Sequence, residues 1–211
     1  MIRKITRKKL QCFINKIEWG KVGLNIGSCD NVLKREDTTI VNVDILFNRQ
    51  LDVVGDIFKL PFKSESFDSV LCSEVLEHTK DPKQAVKEIY RVLKKNGKLY
   101  ITTRLLFPLH DAPGDYHRFT EYNLREIANS FSNLKITYET GPFSTIGVLM
   151  QRIVFQTDMY LKYLTKPILL LLAFIFSKMD FLCKKCFGDV SKKTEVNNFM
   201  SSGIYLYAEK K

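Results

Sequence analysis

Six residues with chemical capacity fall within positions 110–118: His110, Asp111, Asp115, Tyr116, His117 and Arg118. An imidazole titrates near neutrality and serves as a general base. Carboxylates, a phenol and a guanidinium orient a polar ligand. Pro113 and Gly114 place the stretch in a loop, where specificity usually resides. His110, Asp111, Asp115 and His117 are metal-ligating types, but their spacing matches no ligand motif, so no metal site is expected. His78, after Ser73-Glu74-Val75-Leu76-Glu77, is a third candidate base. It also reads as a structural histidine ahead of a helix start at Asp81-Pro82, and that reading is preferred. Asp44 and Asp56 each follow a short apolar run, and Gly27 opens the turn Gly27-Ser28-Cys29-Asp30-Asn31.

The elements that position these residues follow from the pattern. Lys21–Ile26, Thr39–Val43, Val53-Val54, Ser69–Leu71 and Lys98–Thr103 are apolar runs that stop at polar residues. A helical pattern through Val86, Ile89, Tyr90 and Leu93, closed by Asn96-Gly97, separates the last two. Strands alternating with helices predict a parallel sheet with crossovers, and ligands of such sheets bind at the strands' carboxyl ends. Asp56, Ser73-Glu74 and Thr102-Thr103 then share one rim. Tyr122–Phe131 reads as a helix, Leu134–Glu139 as a strand and Gly203–Ala208 as the final strand.

GDIFKLPF (55–62), SFDSVLCSEVLEH (66–78), DP (81–82) and EIYRVLKKNGKLYITT (88–103), in this order, resemble the class I S-adenosylmethionine (SAM)-dependent methyltransferases, type 11 group. The resemblance covers roughly Val22 to Phe131. It implies an α/β, Rossmann-like class I methyltransferase fold: a seven-stranded, mostly parallel sheet with an antiparallel last strand, here with a helical insertion before that strand. It also implies SAM as cofactor. On it, Asn25, Gly27 and Ser28 stand in the glycine loop, with Asn25 in place of an acid and Cys29 and Asn31 in place of later glycines; Asn31 would hold the left-handed turn. Asp44 would accept the ribose hydroxyls, with Ile45 beside it. Asp56 and the Ile57 amide would face the adenine, and Ser73 and Glu74 would lie against the methyl-bearing end. The HDAPxDYHRFT-like loop resembles a subset associated with surface glycan or lipid-linked sugar pathways. It nominates His110, Asp111, Asp115, Tyr116, His117 and Arg118 for acceptor binding.

Two segments lie outside that resemblance. Residues 1–20 read as a basic amphipathic helix, with Ile2, Ile5, Leu10, Phe13, Ile14 and Ile17 on one face and Arg3, Lys4, Arg7, Lys8 and Lys16 largely elsewhere. The remaining domain, 21–211, carries an insertion at 141–200. There Ile146 to Leu164 follow helical spacing, and Pro167–Phe176 is continuously apolar between Lys166 and Lys178. That run is about half the ~20 residues a bilayer span needs. With the neighbouring lysines it reads as a peripheral anchor on an anionic membrane surface.

A net charge of +10 points to an anionic neighbour. Five cysteines without a disulfide framework suit a reducing compartment, and Cys183-x-x-Cys186 has no second pair to form a zinc site. The basic start is not followed by the apolar region of a signal peptide. The expected localisation is therefore cytoplasmic and peripherally membrane-associated. One glycine among several acids disfavours a pyrophosphate-binding dinucleotide site. The fourth strand ends in Ser73-Glu74-Val75-Leu76, not the (N/D)PP(Y/F) tetrapeptide of base amino-methyltransferases, so DNA is excluded and RNA disfavoured as acceptor. The expected function is methyl transfer to a small-molecule, glycan or lipid-linked acceptor at a membrane surface. The alternatives are an inactive methyltransferase-like scaffold and an RNA methyltransferase.

Overall fold

The computed structural model describes residues 5–29, 31–47 and 49–211; the expectations placed on Ile2, Arg3, Lys4 and Asp30 lie outside them. In chain order the helices and strands are α1 (Ile5–Ile14), β1 (Val22–Ile26), β2 (Thr39–Asp44), β3 (Val53–Val54), β4 (Phe67–Ser73), α2 (Pro82–Val92), β5 (Leu93–Arg104), α3 (Glu121–Ile127), β6 (Phe131–Tyr138), α4 (Pro142–Gln156), α5 (Lys162–Phe176), β7 (Cys186–Asp189), β8 (Thr194–Val196) and β9 (Gly203–Lys210). They form two compact units. One comprises the described residues through Asn15 together with 105–109 and 138–203; the other comprises 16–104, 110–137 and 204–211.

The second unit is built on a seven-stranded sheet in the order β3-β2-β1-β4-β5-β9-β6. Strands β1 to β5 pair in parallel, and β9 runs antiparallel to β5, as expected. The strand order reverses between β1 and β4, so the crevice opens at the carboxyl ends of those two strands. Leu24, Val43, Val70, Leu71, Leu99, Ile101, Ile204 and Leu206 are all 0% exposed. Burial stabilises each by about 1.5–3 kcal/mol, which is why these strands read as apolar runs rather than as alternating ones. Helix α2 starts where Asp81 accepts the Gln84 amide at 3.0 Å, with Pro82 at the first position, and turns Ala85, Val86, Ile89 and Val92 inward.

Several boundaries differ from the expected ones. Strand β5 begins at Leu93, not Lys98, because Leu93 already pairs with Phe67. The turn at Asn96-Gly97 survives as an irregularity between the Phe67 and Ser69 registers, with Asn96 at φ +60°. Helix α3 ends at Ile127, and Phe131 opens β6 instead of closing the helix. The described part of the β1–β2 crossover contains no helix. A buried amide network holds it: the Asn42 side chain accepts from Leu33 N at 2.9 Å and from Asn25 Nδ2 at 3.0 Å, and donates to Asp52 at 2.9 Å.

In the first unit, α4 and α5 approach closely at Gly147, where a Cβ would stand 2.6 Å from the Ala173 carbonyl oxygen. Ala173 is the one buried residue of α5. The Ile5 amide donates to Gln151 Oε1 at 3.0 Å, which ties α1 to α4. Helix α1 ends at Ile14 and buries Thr6, Leu10 and Ile14 within the protein. Of its apolar stripe, Leu10 and Ile14 are thus packed within the protein and Ile5 and Phe13 are half-buried, while Ile17 and Trp19 are buried residues of the other unit. The insertion opens with two helices separated at Leu161 (φ +50°), not one continuous pattern, and also contains the β7–β8 hairpin. On α5 and its flanks Tyr160, Leu161, Tyr163, Leu164, Leu171 and Phe174 are each more than half exposed. No described helix is long and apolar enough to cross a membrane.

Candidate functional site

The rim of the second unit starts at the end of β1. Gly27 takes φ +76°, and a Cβ there would stand 2.1 Å from Val75 Cγ2 and 3.2 Å from the Ser73 carbonyl oxygen. Only glycine lets the chain turn this close to the end of β4. Gly27 N and Ser28 N both donate to the Val43 carbonyl, at 3.0 and 3.2 Å. The Ser28 hydroxyl donates to the same oxygen at 3.0 Å. The second left-handed residue of this turn is Cys29 (φ +28°), not Asn31. With no helix following in the described crossover, the turn lacks the helix N-terminus on which a pyrophosphate would sit.

Asp44 organises that turn. Its Oδ2 accepts from Cys29 N at 2.9 Å and its Oδ1 from Leu46 N at 3.0 Å; two carboxylate oxygens retain lone pairs for a further donor. Ile45, Leu46 and Phe47 follow, all more than 60% exposed. Asp56 is exposed, with Oδ1 accepting from Phe58 N at 2.9 Å, while Ile57 is buried. Asn25, which the resemblance places in the glycine loop, stands near the end of β1. It is 2% exposed, and its Nδ2 is committed to Asn31 O at 3.1 Å and Asn42 Oδ1 at 3.0 Å, so its side chain braces the crossover.

The end of β4 meets the end of β5. Ser73 and Thr102 share a hydroxyl hydrogen bond at 3.0 Å, and Glu74, at φ +57°, forms an ion pair with the buried Arg104. A short 3-10 turn, Leu76–His78, follows. Its Glu77 is fully buried, and Oε2 accepts from the Thr103 hydroxyl at 2.7 Å. Burial pushes the Glu77 carboxyl above the usual range, although the Thr103 hydrogen bond and the Arg104 and Arg118 charges act the other way.

The 110–118 loop folds back onto this turn. Tyr116 N and His117 N donate to the Glu77 carbonyl at 2.9 and 3.1 Å. Asp115 is the centre of the loop: its side chain is 1% exposed. It accepts both Arg118 guanidinium nitrogens, at 2.6 and 2.7 Å, and His110 N at 3.0 Å. The Arg118 hydrogen bonds outweigh burial and hold Asp115 well below the usual carboxylate range. His78 and His110 come together, ring centroids 4.8 Å apart and edge to face. His117 does not join them; its ring lies 5.7 Å from Phe119, and its Nε2 is buried without a partner among the described residues. Tyr116 and Asp111 are exposed. Thr120 caps α3, accepting from Asn123 N at 3.3 Å.

Glu77 and Arg104 are the site residues that sequence reasoning missed, whereas Thr103 was placed on the rim. The available signal was an acid immediately before His78, opposite a Thr-Thr-Arg strand end of complementary polarity.

Residues 22–101 match the family described as the methyltransferase domain, whose members are SAM-dependent. The demethylmenaquinone methyltransferase of Renibacterium salmoninarum is 36% identical over 90 residues, 41% of this chain and 36% of that protein. The sterol 24-C-methyltransferase of Aspergillus fumigatus is 32% identical over 96 residues, 45% of this chain and 25% of that protein. The chain thus spans well under two thirds of the length of these relatives. Among solved structures, the phosphoethanolamine N-methyltransferase 2 of Haemonchus contortus, in complex with SAM, superposes with a TM-score of 0.55 at 18% identity, over 97% of this chain and 52% of that one. The sheet therefore has the methyltransferase fold.

Proposed function

We propose that this chain, with its methyltransferase domain over residues 22–101, transfers the methyl group of SAM to a small-molecule, glycan or lipid-linked acceptor at an anionic membrane surface. The observation that carries the reading is the rim: a left-handed Gly27 turn, held by Asp44, at the carboxyl ends of the parallel strands that lead to Asp56 and to Ser73–Glu74. In this reading Asp44 receives the ribose hydroxyls, and the Asp56 carboxylate and Ile57 amide receive the adenine edge. Ile45 covers the ring face, and Gly27, Ser28, Ser73 and Glu74 line the remainder. SAM carries no phosphate and is cationic at sulfur, which suits an acidic rim without a helix N-terminus.

The reaction is in-line displacement at the methyl carbon. The new bond forms to an acceptor oxygen, nitrogen or carbon as the carbon–sulfur bond breaks, leaving S-adenosylhomocysteine. Most of the rate gain comes from holding donor and acceptor aligned. A hydroxyl acceptor also gives up a proton, for which His110 and His78, side by side, are the preferred bases; His117, whose ring stands beside Phe119 and not with them, is the weakest of the three. Asp111, Asp115, Tyr116 and Arg118 shape the acceptor side, with Asp115 and Arg118 acting as its frame. SAM labelled in the methyl group, incubated with the chain and a membrane extract, tests the reaction. Label appearing in an extracted product supports transfer, and none from a folded, SAM-binding chain favours the scaffold reading. That second reading draws on Asn25 turned into the Asn42 network and Cys29 at a glycine position.

The membrane part rests on α5, whose exposed face carries Leu164, Ile168, Leu171, Phe174 and Ile175 near Lys162, Lys166 and Lys178. Relatives named for demethylmenaquinone and for a sterol fit an apolar acceptor met at a membrane. The chain is expected to sediment with vesicles of phosphatidylcholine and phosphatidylglycerol and to release at high salt. Leu171→Ser with Phe174→Ser should cut partitioning by at least about 10-fold, since burying each apolar side chain contributes about 1.5–3 kcal/mol. Partitioning equal to that of the parent chain would contradict the anchor. The basic charge alone also suits RNA, but the exposed apolar helix is better matched by lipid.

A further inference from the structure

The β7–β8 hairpin is a two-stranded sheet that buries none of its own side chains. Every residue of Cys186–Asp189 and Thr194–Val196 is half-buried or exposed, and among the described strands the two pair with each other alone. A two-stranded sheet is marginal in water and gains stability when an apolar face is covered.

The apolar side chains of this segment lie on the outside. Phe181, Leu182, Phe187 and Val190 are all exposed, Val190 at 85%. A built turn holds Val190 at the tip. The Asp189 carboxylate accepts the Lys192 amide at 2.9 Å, and Lys193 takes the left-handed conformation, φ +52°, that leads into β8. Lys184, Lys185, Lys192 and Lys193 are interleaved with these apolar residues and are all exposed. Each acid of the hairpin is taken by one lysine: Asp189 lies 4.0 Å from Lys192, and Glu195 is ion-paired with Lys185. Lys184 and Lys193 have no acidic partner among the described residues.

An apolar tip within a collar of lysines matches an anionic lipid surface. The acyl boundary receives the apolar side chains, and the headgroup phosphates receive the ammonium groups. RNA would pair with the lysines and stack on Phe181 and Phe187, but it would leave Leu182 and Val190 in water.

We propose that the β7–β8 hairpin is a second membrane-contacting element, which sets Phe187 and Val190 at the acyl boundary and holds anionic phospholipid headgroups with Lys184 and Lys193. This inference rests on the membrane surface proposed for α5 and extends it to a separate element, since α5 ends at Phe176 and β7 begins at Cys186. Two weak contacts on one chain reinforce each other, because the first raises the effective concentration of the second. The hairpin is the part that selects an anionic over a neutral membrane.

The test is sedimentation of the full chain with vesicles of phosphatidylcholine and phosphatidylglycerol, and with vesicles of phosphatidylcholine alone. Phe187→Ser with Val190→Ser should cut partitioning onto the anionic vesicles by about 10-fold. Lys184→Gln with Lys193→Gln should cut it by at least about 10-fold there, and by less than about 2-fold on phosphatidylcholine alone, since each lysine near an anionic surface contributes about 5-fold. Val190→Trp reads the tip itself. Its indole emission should shift to the blue on anionic vesicles, against a constant background from the chain's single native tryptophan, Trp19, which is 3% exposed. Loss of partitioning in Leu171→Ser with Phe174→Ser, while both hairpin variants bind as the parent does, would overturn the hairpin and leave the α5 anchor standing. An unshifted indole on vesicle-bound chains, or a shift given by single-stranded RNA and not by vesicles, would overturn it as well. A parent chain that does not sediment would remove the membrane reading and this inference with it.

Discussion

Gly27→Ala is expected to weaken SAM binding by at least about 100-fold, a loss of about 3 kcal/mol. Two effects add. A left-handed backbone costs an L-residue about 1–2 kcal/mol, and Gly27 sits at φ +76°. The new methyl would also stand 2.1 Å from Val75 Cγ2, so Val75 must move, and with it the 3-10 turn that carries Glu77 and His78. Because the nearest obstacle is a side-chain end, Val75→Ala in the same chain should relieve the clash and recover part of the affinity. The backbone penalty remains, so recovery should stop about 10-fold short of the parent protein. Calorimetric titration of the parent, single and double variants reads this directly. Affinity in Gly27→Ala within a factor of about two of the parent would show that the turn does not form the binding surface.

Asp115→Ala is expected to destabilise the protein by about 3 kcal/mol, the range for removing one partner of a buried ion pair. The 1% exposed carboxylate accepts both Arg118 nitrogens and the His110 amide. Its removal strips a half-buried guanidinium of its carboxylate and releases the loop that places His110 beside His78. Asp115→Asn keeps one acceptor oxygen without the charge and should lose roughly half as much. Urea unfolding midpoints measure both. Because Asp115 is not among the groups assigned to SAM, the asparagine variant should retain SAM affinity while its acceptor KM rises. A change below about 0.5 kcal/mol would place Asp115 among ordinary surface acids.

The sheet was readable because its central strands are buried on both faces, so Leu24, Val70-Leu71 and Leu99–Ile101 appear as apolar runs ending at polar residues. Asp44 was readable because it ends the apolar run of β2. Asp56 follows only the short strand Val53–Val54, with Val54 49% exposed, and stood out by the GDIFKLPF cadence rather than by burial. That same burial concealed Asn25, since a strand covered on both faces has no alternation to reveal which way a polar side chain turns. The start of β5 was hidden because Leu93 also fits the helical period of α2. The meeting of His78 with His110, 32 positions apart in sequence, depends on the fold bringing two loops together, which local pattern does not encode. The engagement of α1 with α4 is likewise tertiary: an amphipathic stripe shows that a face will be covered but not by what.

The central claim, that the rim of β1 to β4 binds SAM, is tested most directly by calorimetric titration of the purified chain with SAM, alongside Asp56→Ala. Asp56 is exposed and bonds chiefly to its own turn, so its removal leaves the fold intact. The account predicts one site per chain with micromolar affinity, weakened at least about 10-fold by loss of a charged hydrogen-bond acceptor. A folded chain that gives no binding heat, or an Asp56→Ala chain that binds as well as the parent, would contradict it.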